Sequence, residues 1–142
     1  MHLALLARDD VPRTADRPDA ASVSRRALEL FASAAGRWDL TLEQQARLLN
    51  SSLSTLQRLR RSLGGGERDF PTFDPDRLLR LSLVANIDRD LRLSLAEDGD
   101  LAWLRARNAR LDGRAPLDVM VEDELPGLAR VYLDVRDWTL GR

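Results

Sequence analysis

The sequence predicts an all-α protein of about seven helices. Three observations point there. Apolar residues recur at i, i+3, i+4 and i+7 through most of the chain, and no segment alternates convincingly at period two. Helix-start signals stand before these stretches, notably at Thr41, Ser52, Asp74-Pro75 and Pro116. Glycines at Gly36 and Gly64-Gly65-Gly66 mark stops. With 142 residues the chain supports one domain, or two small ones that share a core. No internal repeat is visible.

Residues 1–19 contain VPRTADRPDA, rich in Pro, Asp and Arg. This composition predicts a loosely held arm, read first as a plain tail and second as a DNA-contacting arm. Its apolar patch, Leu3 to Ala7, lacks a preceding basic segment and runs into Asp9-Asp10, so it is not a convincing signal peptide. Ala20 to Ala35 reads as a helix with Val23, Ala27, Leu30, Phe31 and Ala34 on one face, followed by Trp38 as core packing.

Thr41 to Leu63, TLEQQARLLNSSLSTLQRLRRSL, reads as two helices about a tight turn. Leu42, Ala46 and Leu49 form the inward stripe of the first helix. Asn50 stands at the turn, where a left-handed backbone is tolerated. Leu56, Leu59 and Leu63 face inward from the second helix. That leaves Leu53, Ser54, Gln57, Arg58 and Arg61 outside, with Thr55 and Arg60 at the margins and Ser52 at the cap. In a helix-turn-helix the second helix enters the major groove. Gln can bond adenine and Arg guanine, so Ser52, Ser54, Thr55, Gln57, Arg58 and Arg61 are the candidate DNA-binding residues. The competing reading is an ordinary helical hairpin with a solvated outer face.

Phe70 and Phe73 are expected to tuck against the core. Asp74-Pro75-Asp76 opens a helix to about Ala96. Its apolar residues, Leu78, Leu79, Leu81, Val84, Ile87, Leu91, Leu93 and Leu95, cover more than one face, which suits a central element. A short helix is expected from Gly99-Asp100 to near Asn108, then a loop with Asp112-Gly113. Another opens at Pro116, and a last one near Leu125-Pro126 presents Leu128, Val131, Tyr132 and Val135.

The composition excludes several function classes. There are no cysteines, hence no disulfides, thiolate metal sites or Cys nucleophile. His2 is the only histidine, so a His-based triad or two-His metal site is unavailable. No cofactor is implied: Gly64 to Gly66 is not followed by the Lys-Ser/Thr of a phosphate loop. No apolar run approaches the ~18 residues of a membrane span, and a reducing cytoplasm is expected. Net charge is -1, but Ala20 to Leu63 carries seven Arg against three acids, while Gly64 to Arg142 carries twelve Arg against sixteen acids. A basic module joined to an acidic one suits DNA on one side and a protein partner on the other.

The second half carries a more specific pattern. WLRARNARLDGRAPLDVM resembles the signature of the toxin-binding domain of Xre-type antitoxins, the Xre/MbcA/ParS group, through Trp103, Leu104, Asn108, Gly113, Pro116, Leu117 and Asp118. RLLRLSLVANIDRDLRLSL is similar to that family's long helix, and ARLLNSSLSTLQRLRR to its N-terminal module. The likeness spans roughly Ala20 to Trp138. Asn50-Ser51 replaces the family's usual Gly and apolar pair, Leu59 stands where Trp is common, and VEDELPGLARVYL is an altered connection.

The resemblance implies an N-terminal helix-turn-helix module, residues 20–66, packed with a helical toxin-binding domain, residues 67–142. It implies a type II antitoxin, not an enzyme, that occludes a RES-class NAD-consuming toxin and represses its own operon. The partners implied are that toxin, operator double-stranded DNA and a second copy in a homodimer within a larger complex. The candidate toxin-binding residues are Trp103, Asn108, Gly113, Pro116, Leu117, Glu122, Asp123, Glu124, Tyr132, Trp138 and Arg142. Trp103 reads first as core packing and second as a toxin anchor. Asn108 and Gly113 read first as loop-geometry residues, and Tyr132 and Trp138 equally as core or contact. The alternatives are a stand-alone helix-turn-helix regulator with a dimerising or sensing second half and, less well supported, an enzyme.

Overall fold

The computed structural model describes residues 19–65 and 70–141. Most of the arm, residues 66–69 with Gly66, and Arg142 lie outside the described residues. The element order is α1 (Ala20–Arg37), α2 (Leu42–Leu48), α3 (Leu53–Ser62), α4 (Pro75–Ser94), α5 (Gly99–Arg105), a one-turn 3₁₀ helix (Ala109–Leu111), α6 (Pro116–Glu122) and α7 (Glu124–Thr139). The architecture is all-helical, with seven α-helices and no strand among the described residues.

The start signals act as the sequence suggests. Thr41 caps α2 and closes a capping box with Gln44, Ser52 accepts from the Thr55 amide at 3.1 Å, and Asp74 accepts from Arg77 at 2.8 Å before Pro75. Each satisfies an amide the first turn leaves unpaired.

Helix α4 is the central element. It packs on both α1 and α7, and its Leu81, Val84, Ile87 and Leu91 are fully buried. One apolar cluster runs from Leu28 and Trp38 through these residues to Val131 and Val135, so the two halves share a core. Leu79 and Leu93, expected to be apolar packing positions, are exposed. Charged residues of α4, Arg80, Asp88 and Asp90, are buried instead, each paired with a more exposed partner. Asp88, 2% exposed, accepts from Arg37 Nε at 3.1 Å, from Arg37 Nη2, and from Arg92 Nε at 3.0 Å. Arg80 reaches Asp76 at 3.0 Å.

Three other details differ from the sequence reading. The buried face of α1 is Ser24, Leu28, Phe31, Ala34 and Ala35, while Val23 and Leu30 are 41% and 37% exposed. The face is rotated because Ser24 Oγ accepts the buried Phe73 amide at 2.9 Å, which turns a polar residue inward. In α2, Leu42 is exposed and Gln45 is buried instead. Helix α5 ends at Arg105, short of Asn108, because the backbone turns extended at Ala106; Asn108, also extended, caps the 3₁₀ turn.

The α6–α7 connection is tight. A Cβ on Gly127 would meet the Val119 carbonyl oxygen and lie 2.6 Å from Asp123 Cβ. Because backbone cannot move aside as a flexible side chain can, Gly127→Ala is expected to lower stability by about 1–3 kcal/mol. Urea unfolding of the variant beside the parent chain checks this, and an unchanged midpoint would show that the two helices can separate freely.

Candidate functional site

Two exposed faces are built on this core. The first is the outer side of α3. Helices α2 and α3 are joined by Leu49 to Ser52, with Asn50 in the left-handed region at φ 50° and the Ser51 amide donating to Ala46 O at 2.9 Å. Leu56 and Leu59 are buried, so Ser54, Gln57, Arg58 and Arg61 face outward by helical periodicity and are exposed. Among the described residues neither Arg58 nor Arg61 has a carboxylate within ion-pair distance. Ser52, Ser54 and Thr55 are less free. Ser52 Oγ donates to Thr55 Oγ1 at 2.9 Å and lies 3.2 Å from Ser54 Oγ. Thr55 is half-buried.

Two contacts absent from the sequence reading hold α3 rigidly. Gln45 donates to Leu40 O at 3.1 Å and accepts from Arg60 at 2.6 Å, tying α2 to α3 through a buried amide. Arg25 of α1 donates to Leu63 O at 2.5 Å and Gly65 O at 3.1 Å, neutralising the carbonyl-rich end of α3. A basic residue at a helix C-terminus is a readable signal when it lies on the same helix. Arg25 comes from another element, so no local pattern announces it.

The second face is a cleft of about 410 Å³ at the α5–α7 end, with Trp103, Asn108, Trp138, Arg107, Arg110 and Asp134 among its lining residues. The Trp103 and Trp138 rings are 5.8 Å apart and tilted by 47°, and both side chains are half-buried. Asn108 shapes the loop. Its side chain accepts from the Arg110 amide at 2.9 Å, and its backbone accepts from Gly113 at 2.9 Å. Gly113 has φ 78°, a conformation that favours glycine. Arg110 pins this loop to α7 through Asp134 at 2.5 Å, and Arg130 does the same through Asp112 at 3.0 Å.

The candidate toxin-binding residues therefore separate. Trp103, Asn108 and Trp138 meet in the cleft. Pro116 and Leu117 are buried: the start of α6 faces the core, where Leu117 joins the apolar cluster. Tyr132 lies elsewhere on α7, with Arg136 Nη1 donating to its hydroxyl at 3.0 Å. Glu122 and Asp123 are exposed but engaged by Arg114, at 2.9 Å and 2.6 Å respectively. Glu124 opens α7 with φ 59°. Arg142 lies outside the described residues. The sequence reading missed Arg107, Arg110 and Asp134, since residues this far apart show a common wall only once α7 folds back.

The fold and these faces define a class: an all-helical protein whose short α2–α3 hairpin is joined through one core to a cleft-bearing helical end. No family model matches the chain. It is 32% identical over 114 residues to "Uncharacterized protein y4oB" of Sinorhizobium fredii (strain NBRC 101917 / NGR234), an alignment covering 77% of this chain and 82% of that protein. The chain belongs to the family of that protein.

The Arg114 clasp has a pH signature. Hydrogen bonding to Arg114 holds the Asp123 carboxyl below the usual carboxylate range and raises Arg114 in turn. A depressed folded-state pKa gives stability that is present above the unfolded value and is lost as pH falls through the folded one. Because both groups are solvent-exposed the effect is small. Asp123→Asn is expected to flatten part of the fall in melting temperature as pH drops below the ordinary carboxylate range. Identical pH profiles for variant and parent would show that the clasp does not titrate with folding.

Proposed function

We propose that the chain is a type II antitoxin that binds and occludes a RES-class NAD-consuming toxin and represses its own operon through α2 and α3. The observation that carries the reading is the presence of two separate open faces on one core. The outer side of α3 offers Gln57, Arg58 and Arg61 to solvent. The far end offers a cleft walled by Trp103 and Trp138. A single-purpose regulator needs the first face, and the second is what a protein partner would use.

On the DNA side, the geometry supports α3 as a recognition helix. Its outward residues have bidentate hydrogen-bonding chemistry, and Arg25 and Gln45 hold it against α1 and α2 without using that face. Arg60 is spent on Gln45, which leaves Gln57, Arg58 and Arg61 as base or phosphate readers. On the toxin side, occlusion requires shape and charge but no chemistry, so no catalytic group is needed. Tryptophans in a cleft are favoured anchors in interfaces. Glu124, exposed at the start of α7, has no ion-pair partner among the described residues, so its charge is available to a basic pocket in the toxin. The expected assembly is a homodimer within a larger toxin complex.

Two outcomes check this reading. Arg58→Ala is expected to weaken operator binding by about 1–3 kcal/mol and to relax preference at one base pair, read by footprinting across a set of mutated operators. An unchanged footprint removes Arg58 from the reading set. Co-expression with the neighbouring reading frame is expected to rescue cells from its toxicity, with Glu124→Arg weakening the complex more at low salt than at high salt. Failure of the two polypeptides to associate would overturn the toxin-binding half.

A further inference from the structure

The cleft at the α5–α7 end holds polar atoms that its own contacts leave unused. Asp134 is 8% exposed. Arg110 Nε pairs with its Oδ1 at 2.5 Å, while its buried Oδ2 accepts no hydrogen bond. One turn along α7, the buried Trp138 Nε1 donates none. Both residues line the cleft, together with Arg107 and an apolar wall of Leu95 and Trp103. Arg107 is exposed and has no carboxylate within ion-pair distance among the described residues. A buried donor or acceptor without a partner costs free energy that a matching group recovers.

We propose that this cleft takes the carboxy-terminal residue of a partner polypeptide, one with an aromatic or large aliphatic side chain. It rests on the partner reading of the cleft only for which polypeptide supplies that end. The set of unused donors and acceptors selects this chemistry. A terminal residue carries one N–H for Asp134 Oδ2 and, across the same Cα, a carboxylate for Trp138 Nε1 and Arg107. Its side chain covers Leu95 and Trp103, where an aromatic ring gains most. Charge decides against a cationic occupant. Arg110 already neutralises Asp134, and the lining carries two arginines against that one carboxylate. A free ammonium would meet the excess positive charge, whereas an amide N–H supplies the missing hydrogen bond without charge. The same excess suits a terminal carboxylate, which matches the guanidinium fork of Arg107. A volume of about 410 Å³ is at the small end of ligand sites and suits one large residue rather than a helix.

The probe is N-acetyl-L-phenylalanine, titrated into the full chain and read through the indole N–H signals by NMR. The expected result is saturable shifts at Trp103 and Trp138, with a Kd on the order of 1 mM. Trp38, fully buried and outside the cleft, stays unshifted. N-acetyl-L-phenylalaninamide lacks the charge and hydrocinnamate lacks the N–H, and each binds about tenfold more weakly. Arg107→Gln, a substitution at an exposed position, abolishes the advantage over the neutral amide and keeps the advantage over hydrocinnamate. No saturable shift at either cleft indole overturns the proposal. Equal binding of the acid and its amide overturns it in favour of an internal peptide segment. Tighter binding of free L-phenylalanine than of its N-acetyl form overturns it in favour of a free amino acid. Neither toxin nor operator is present, so a positive titration stands even where the neighbouring polypeptide fails to associate, and a negative one leaves that association to be read by itself.

Discussion

A carboxylate buried in the middle of α4 constrains the whole molecule. Asp88 is enclosed between α1 and α4 and takes hydrogen bonds from two guanidinium groups, Arg37 and Arg92. A buried charge is tolerated only when it is paired and its lone pairs are satisfied. The end of α1 is therefore fixed against the middle of α4. From that fixed point Trp38 drops into the core, and Arg105 of α5 donates to Trp38 O and Asp39 O at 2.9 Å and 3.2 Å. The turn that launches α2 is thus tied to both halves of the chain. The pairing does not supply most of the stability, which comes from the apolar cluster around Leu81, Val84, Ile87 and Leu91. It ties the end of α1 to one place on α4.

This constraint gives the two faces a fixed relation to one core. The hairpin of α2 and α3 is braced by Gln45, Arg60 and Arg25, whose contacts lie away from the outer side of α3. The cleft is braced by Arg110 on Asp134 and by the Trp103–Trp138 pair. In each case arginine is used twice over, as a brace through buried or carbonyl-directed hydrogen bonds and as an exposed cation. A chain whose basic residues are all arginine suits that division, because the planar guanidinium can span several carbonyls or a carboxylate at once.

Much of the fold is legible in the sequence, and the reason is local. Thr41, Ser52, Asp74-Pro75 and Pro116 are start signals whose partners lie within three or four residues, so the elements are placed to within a turn. The apolar period of α3 puts Leu56 and Leu59 inward, and its outer face follows directly. Faces are misread where a polar side chain is recruited by a distant group. Ser24 is turned inward by the Phe73 amide, Gln45 by Leu40 O and Arg60, and Asp88 by Arg37. Each displaces an apolar residue, Val23, Leu42 or Leu93, that periodicity alone would bury. The cleft is half legible. Trp103 and Asn108 stand out by motif, but Arg110 and Asp134 are joined only by the return of α7. Pro116 and Leu117 show the converse, since a motif residue can matter by starting a helix and filling the core.

Unfolding followed separately at the two ends tests most directly whether α4 makes them one unit. Hydrogen exchange of α3 and α7 amides in the parent chain and in Asp88→Ala is the measurement. A shared core anchored by Asp88 predicts that the slowest amides of both helices exchange with the same opening free energy, and that the substitution lowers both together by about 1–3 kcal/mol. If α3 opened independently while α7 stayed protected, or if the substitution loosened one end and left the other unchanged, the account of a single anchored core would be contradicted.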